Sequence, residues 1–173
     1  FILRIEDTDR ARNSDEARED IFEALKWLGL NHDRMYIQSE NLDRHREVLH
    51  QFIEQDKAYV SREEAKDGSG VMKDVIRFRN PNKVITFTDL IRGEISIDTT
   101  DLGDFVIARN IDDPLYHLAV IIDDHDEGIT HVIRAEEHIS NTPRQILMIE
   151  ALGWQIPQYA HLPLVLKKKK KKL

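Results

Sequence analysis

The stretch FILRIEDTDRARNSDEAREDIFEALKWLGL, residues 1–30, decides the fold class. Phe1 to Ile5 form a short apolar run that reads as a strand, and it stops where Glu6, Asp7, Thr8 and Asp9 begin. Asn13, followed three residues later by Glu16, makes a capping-box pattern. Ala17, Ile21, Ala24, Leu25 and Leu28 then recur at helical spacing as far as Gly29. Strand, acidic turn and helix in that order open an α/β unit. Ligands of open α/β sheets collect beyond the carboxyl ends of the strands, so Glu6, Asp7 and Asp9 stand where a site is expected.

Working outward, a second helix is predicted over about 40–55, with Leu42, His45, Val48, Leu49 and Phe52 on one stripe. From 60 to 105 the texture changes. SREEAKDGSG is polar and glycine-bearing and reads as a loop, and the short pieces VIRFR, VITFTDL and EISIDTT read as strands separated by NPNK and RGE. This is the pattern of a small, mostly β insertion between two parts of a larger α/β unit. DFVIARN and PLYHLAVIIDDHDEG return to strand-like or buried apolar character, and THVIR reads as another strand. Thr142 is placed to cap a helix that starts at Pro143 and stops at Gly153. The segments are therefore 1–59, 60–105, 106–166 and a lysine-rich tail, 167–173.

The 173 residues are 40% apolar, enough to bury a core. There is no cysteine, which excludes disulfide scaffolds, thiolate catalysis and cysteine-held zinc, and fits a cytoplasmic protein. No apolar run approaches membrane-spanning length, so no membrane association is expected. The net charge of −7 includes +6 from the lysines at 167–172, leaving −13 on the rest. Nucleic-acid contact therefore requires local basic surface on an acidic body. The lysine block reads as a solvated tail without a specific function.

Polar chemistry is densest in YHLAVIIDDHDEGITHVIRAEEHISNTPR, residues 116–144. Asp123, Asp124, His125, Asp126 and His131 are metal-ligand types, but their spacing follows neither the HExxH pattern nor a calcium loop, and no metal site is expected. Glu137, His138 and Ser140 lack the relay spacing and nucleophile elbow of a triad. More informative is that the strand FILRI ends at Glu6 while the strand THVIR ends near Arg134 and Glu137. An acid holds an ammonium and a guanidinium holds a carboxylate bidentately, so the pair suits an α-amino acid. An internal ion-pair network bracing the sheet is the competing explanation.

The stretches RIEDTDRAR, ALKWLGL, YIQSENLDRHREV, VIRFRNP, TFTDLIRGEI, DFVIARN, YHLAVIIDDHDEGITHVIRAEEHISNTPRQ, EALGW and HLPLVL, in this order over residues 1–166, resemble the catalytic region of glutamyl-tRNA synthetase, a class I aminoacyl-tRNA synthetase. The resemblance implies a Rossmann-like core split by a connective insertion near the tRNA acceptor end. It also implies activation of L-glutamate by ATP to glutamyl-adenylate, and transfer to tRNA(Glu). ATP is a substrate accompanied by Mg²⁺, no protein-held zinc is expected, and the protein is expected to be a monomer. By the same resemblance Glu6 contacts the substrate ammonium, Tyr116 lines the amino-acid pocket, Arg134 takes the side-chain carboxylate and Asn141 lies beside the pocket. Glu137 and His138 fall where ATP ribose and adenine bind. Arg12 lies near the acceptor stem, and Arg77, Arg79 and Arg92 are candidates for RNA backbone contact, with strand-edge solubilising charge as their plainer role. The alternatives are a related enzyme that attaches glutamate to a modified tRNA base, and a fragment that serves only as a binding or structural module.

The resemblance is incomplete. The family's HIGH-type signature is not in this sequence, KKKKKKL stands where a KLSKR-type loop is expected, SREEAKDGSGVMKD is short for the insertion, and no anticodon-binding region is present. A lysine run is no substitute for one ammonium fixed at a developing charge. The purified 173-residue chain is therefore expected to give no useful glutamate-dependent exchange of pyrophosphate into ATP; robust exchange would overturn that expectation.

Overall fold

The computed structural model describes residues 1–7, 14–65 and 70–165. β1 (Ile2–Ile5) lies parallel to β2 (Arg34–Ile37), with Ile2 opposite Arg34 and Ile5 opposite Ile37. α1 (Asp15–Trp27) connects them, with Asp15 and Glu16 in its first turn and Lys26 in its last, the arrangement its dipole favours. Its cap is Ser14, whose extended backbone lets the hydroxyl accept from the Ala17 N–H at 3.1 Å. The expected cap, Asn13, lies outside the described residues. β2 has no counterpart among the strands anticipated from the sequence, because RMYI is too short and mixed to show an alternation.

α2 (Leu42–Glu54) buries His45, Val48, Leu49 and Phe52, the stripe expected of it. It leads into an antiparallel sheet ordered β3-β4-β7-β8, formed by β3 (Ala58–Glu64), β4 (Met72–Phe78), β7 (Phe105–Asn110) and β8 (Asp113–Pro114). The sequence pattern places a loop at SREE, whereas the structure continues β3 through Glu64, opposite Met72. Among the described residues β4 is the only partner of β3, and an edge strand tolerates polar side chains that a central strand would exclude. Of the remaining loop, residues 66–69 lie outside the described residues.

β5 (Val84–Asp89) and β6 (Gly93–Asp98) form a hairpin, but it joins a different sheet, ordered β6-β5-β10-β9. There β10 (Gln158–Leu162) lies parallel both to β9 (His131–Ala135) and to the end of β5, where Tyr159 faces Asp89. The strands between 60 and 105 are thus shared between two sheets. α4 (Thr142–Leu152) joins β9 to β10, completing a β-α-β unit, and ends at Gly153 with φ 69°, a left-handed stop that glycine adopts without strain. The cap position of α4 is Asn141 rather than Thr142, whose hydroxyl is engaged elsewhere, as described below.

The largest correction concerns α3 (Tyr116–Asp126), which the sequence pattern renders as strand-like or buried apolar chain. Leu118, Ala119, Val120, Ile121, Ile122 and Asp123 are all buried, so consecutive residues face protein on every side and no amphipathic period survives. One core spans the elements. Phe52 meets Phe78 edge-on at 5.4 Å, Phe78 lies 5.3 Å from Phe105, and Ile107, Leu118, Ile122, Leu147 and Met148 complete it.

At the start of α3, the His117 Nε2 meets the Val106 carbonyl at 3.0 Å and the ring packs edge-on against Phe105. Burial pushes the pKa of His117 down to about 4, against the Val106 bond and with help from Arg144. The unfolded chain takes up this proton from about pH 6.5 downward, so the stability contributed is complete above 6.5 and is lost as pH falls to about 4. Denaturant unfolding of the wild type minus His117→Gln is expected to show a slope approaching ~1.4 kcal/mol per pH unit across that window. Parallel curves for the two proteins would contradict it.

Candidate functional site

Two neighbouring carboxylates on α3 fix the walls of a cleft. Asp123, fully buried, accepts from Gln38 Nε2 at 2.7 Å and Asn41 Nδ2 at 2.7 Å, and meets His45 Nε2 at 2.8 Å. Burial pushes its carboxyl up, but these three bonds outweigh burial and hold it below the usual range. Asp124 accepts from Arg4 Nη1 at 2.7 Å, reaching from α3 to β1. Here burial wins, and the Asp124 pKa is raised despite Arg4. Arg4 also donates to Glu6 Oε1 from Nε at 3.1 Å and Nη2 at 2.9 Å. Burial works against the Arg4 charge, yet Asp124, Tyr36 and Glu6 raise its pKa and keep it ionised.

The cleft, about 370 Å³, opens between β1 and β9 and is lined by Arg4, Glu6, Tyr36, Tyr116, Asp124 and Arg134 among others. Glu6, Tyr116 and Arg134 are therefore brought together. Burial first and then Glu6 raise the Tyr116 pKa, with Arg134 opposing. Arg134 rises from β9 and is held from behind. Its Nε donates to His161 Nε2 at 3.2 Å, and its Nη2 donates to Thr142 Oγ1 at 2.8 Å and Gln145 Oε1 at 2.8 Å. Among the described residues Arg134 forms no salt bridge with a carboxylate. A half-buried guanidinium supported by neutral acceptors is set to receive an anion.

The other expected residues divide. Tyr116 and His138 rings lie 5.8 Å apart, and Asn141 Nδ2 meets His138 Nδ1 at 3.3 Å, so the two adjoin Tyr116, although neither lines the cleft. Burial and then Arg134 lower the His138 pKa, with Glu137 opposing. Glu137 is exposed on the same 3-10 turn. Arg77 and Arg79 belong to the β3-β4 region and do not line this cleft. Arg77 is paired with Glu63 and bonds the Asp104 carbonyl, and Arg79 donates to Asp56 at 3.0 Å with its guanidinium 4.4 Å over Tyr59. Arg92 is paired with Glu136, a bond from the β5–β6 turn to the turn after β9. Arg12 and Asp9 lie outside the described residues. Asp7 is spent on Ser39, accepting from its N–H at 2.8 Å and its hydroxyl at 2.6 Å.

The candidate metal ligands are dispersed. Asp123 and Asp124 are bonded as above, Asp126 holds Arg44, His125 stacks on Trp154 at 3.8 Å, and His131 Nδ1 meets Thr130. No group of three ligand types that could hold a metal forms among the described residues. None of their helices is long and apolar enough to cross a membrane.

Asp89, His161 and Gln145 were not singled out by sequence, and Thr142 was singled out only as a helix cap. The signal was present but faint: Asp89 ends the strand VITFTD and His161 sits inside the mostly apolar YAHL, and both are fully buried.

This cleft, at the carboxyl ends of parallel strands in a mixed α/β fold, is one that several ligand-binding folds share. The model of class I tRNA synthetases (E and Q), catalytic domain, matches residues 1–68 and 61–173, and the chain belongs to that family. More particularly, the chain is similar to glutamate–tRNA ligases. It is 40% identical over 215 residues to that of Desulforamulus reducens and 43% identical over 206 residues to that of Aquifex aeolicus, with all of this chain covered. A crystal structure of a glutamate tRNA ligase from Elizabethkingia meningosepticum in complex with its amino acid superposes with a TM-score of 0.90 at 33% identity, covering 100% of this chain and 44% of that one. The chain spans 45% and 44% of the two curated relatives' lengths.

Proposed function

We propose that the chain forms the amino-acid end of a glutamate-activating site, in a protein that joins L-glutamate to the 3′ end of tRNA(Glu) at the expense of ATP. The observation that carries this reading is the Arg134 guanidinium, held by neutral acceptors and facing the same cleft as Glu6. Arg134 binds the side-chain carboxylate of glutamate, Glu6 holds the ammonium, Tyr116 lines the pocket between them, and Asn141 lies beside it. With the substrate fixed at both charged ends, its α-carboxylate attacks the α-phosphate of ATP and pyrophosphate leaves. The acyl group then passes from the adenylate to a ribose hydroxyl of the terminal adenosine of the tRNA, and AMP leaves. The chain's contribution is orientation and charge placement.

His138 and Glu137 serve the ribose and adenine side. Mg²⁺ arrives with ATP; the cleft carboxylates Glu6 and Asp124 both bond Arg4, so no residue here is assigned to the ion. Residues 60–105 act as the connective insertion near the acceptor end, between catalytic parts 1–59 and 106–166. Arg12 is assigned to the acceptor stem. Arg77, Arg79 and Arg92 each have an acid partner, so RNA contact by them exchanges an internal pair for a phosphate. The same proposal takes the protein to be a cytoplasmic monomer.

The test is Arg134→Ala in a protein that carries this chain at the full length of its relatives. Loss of a charge-assisted bidentate pair is expected to lower kcat/KM for glutamate about 100-fold, with the KM for ATP within twofold. Unchanged glutamate kinetics would remove the assignment.

A further inference from the structure

Asp89 and His161 are both fully buried, on β5 and β10, and lie directly behind Arg134. The His161 Nδ1 is 2.6 Å from Asp89 Oδ2, and its Nε2 is 3.2 Å from Arg134 Nε. An arginine Nε carries a hydrogen and only donates, so the His161 Nε2 facing it must present its lone pair. The proton is then on Nδ1, donated to Asp89. The Asp89 carboxylate is itself fixed. Its Oδ1 accepts from the backbone N–H groups of Ile91 at 3.0 Å, Arg92 at 2.9 Å and His161 at 3.2 Å. Burial pushes the Asp89 pKa up, but these donors and His161 hold it down to about 2, so the acceptor is ionised at neutral pH.

We infer that Asp89 and His161 are positioning residues that set the orientation of the Arg134 guanidinium by fixing the imidazole tautomer, and so set the selectivity of the cleft for a carboxylate. The selectivity part rests on the glutamate reading above; the positioning part does not. The anchor stands on the β5–β6 hairpin, in the segment proposed as the insertion, so His161 connects that hairpin to the amino-acid pocket. The Arg92 Nε to the His161 carbonyl, at 3.4 Å, and the Arg92 pair with Glu136 brace the same junction.

Asp89→Asn separates this role from packing. The Ile91 and Arg92 N–H groups, which bond Oδ1 alone while the His161 N–H is shared between both oxygens, keep the amide oxygen at the Oδ1 position and turn the amide NH₂ toward His161 Nδ1. That nitrogen must then accept and the proton moves to Nε2, where it confronts the Arg134 Nε–H and has the Thr142 hydroxyl, 3.2 Å away, as its acceptor. His161→Asn is the companion variant: its amide still donates to Asp89 but offers nothing to Arg134. The first readout is the side-chain ¹⁵N spectrum of the chain, where wild-type His161 is expected to carry its proton on Nδ1 and Asp89→Asn to move it to Nε2. The second, in the protein at the length of its relatives, is kinetics: both variants are expected to lower glutamate kcat/KM about 10- to 100-fold, as for a lost hydrogen bond to a charged group, with ATP KM unchanged.

A wild-type proton on Nε2 would overturn the inference. So would glutamate kinetics that stay within twofold in both variants while Arg134→Ala lowers them. If Arg134→Ala itself leaves glutamate use unchanged, the glutamate reading fails, and the Arg134 Nε–H resonance decides the positioning. A shift in both variants sustains it, and an unmoved resonance overturns it. Should Asp89→Asn fail to fold, judged by circular dichroism, His161→Asn carries the same kinetic and resonance outcomes.

Discussion

The doublet Asp123–Asp124 on α3 is the constraint from which the cleft follows. A buried carboxylate is costly unless it is bonded, and α3 is buried on almost every side. Asp123 answers by binding α2 and the turn after β2, and Asp124 by reaching across to Arg4 on β1. β1 and β2 form a separate two-stranded sheet, so these bonds, with Arg34 paired to Glu127 and Asp7 bonded to Ser39, place its strand ends relative to the rest. Glu6 thereby comes to face Arg134 although no strand pairing links β1 with β9.

The two walls treat charge differently. On the β1 wall, Glu6 shares Arg4 with Asp124, a compact set of two acids around one guanidinium. On the β9 wall, Arg134 is surrounded by neutral acceptors, and the ionised Asp89 lies behind an imidazole. A direct carboxylate partner would have satisfied Arg134 internally and left little for a ligand. Placing the histidine between them keeps the guanidinium oriented and its charge available. Arg77, Arg79 and Arg92 are the opposite case, since each has a carboxylate partner.

Much of this was legible from sequence, for identifiable reasons. α2 announced itself because His45, Val48, Leu49 and Phe52 form one buried stripe and the remaining positions are polar. The ends of β1 and β9, with Glu6 and Arg134, were legible because apolar runs stop there at charged residues. α3 was not, because six consecutive buried residues erase the helical period. β3 was mistaken at SREE because an edge strand exposes one face and half of the other to water. Asp89 and His161 left only a faint signal for a different reason: they are 72 residues apart, and neither a lone buried histidine nor a strand-ending aspartate has a periodic signature.

The most direct test of the central claim, that Arg134 is a prearranged guanidinium awaiting a substrate carboxylate opposite Glu6, is a crystal structure of the protein with L-glutamate bound. The account predicts the side-chain carboxylate about 2.7–3.0 Å from the Arg134 guanidinium, the ammonium at Glu6, and Arg134 still bonded to His161, Thr142 and Gln145. Glutamate bound away from this cleft, or Arg134 turned from His161 to pair with an acid of the chain, would contradict it.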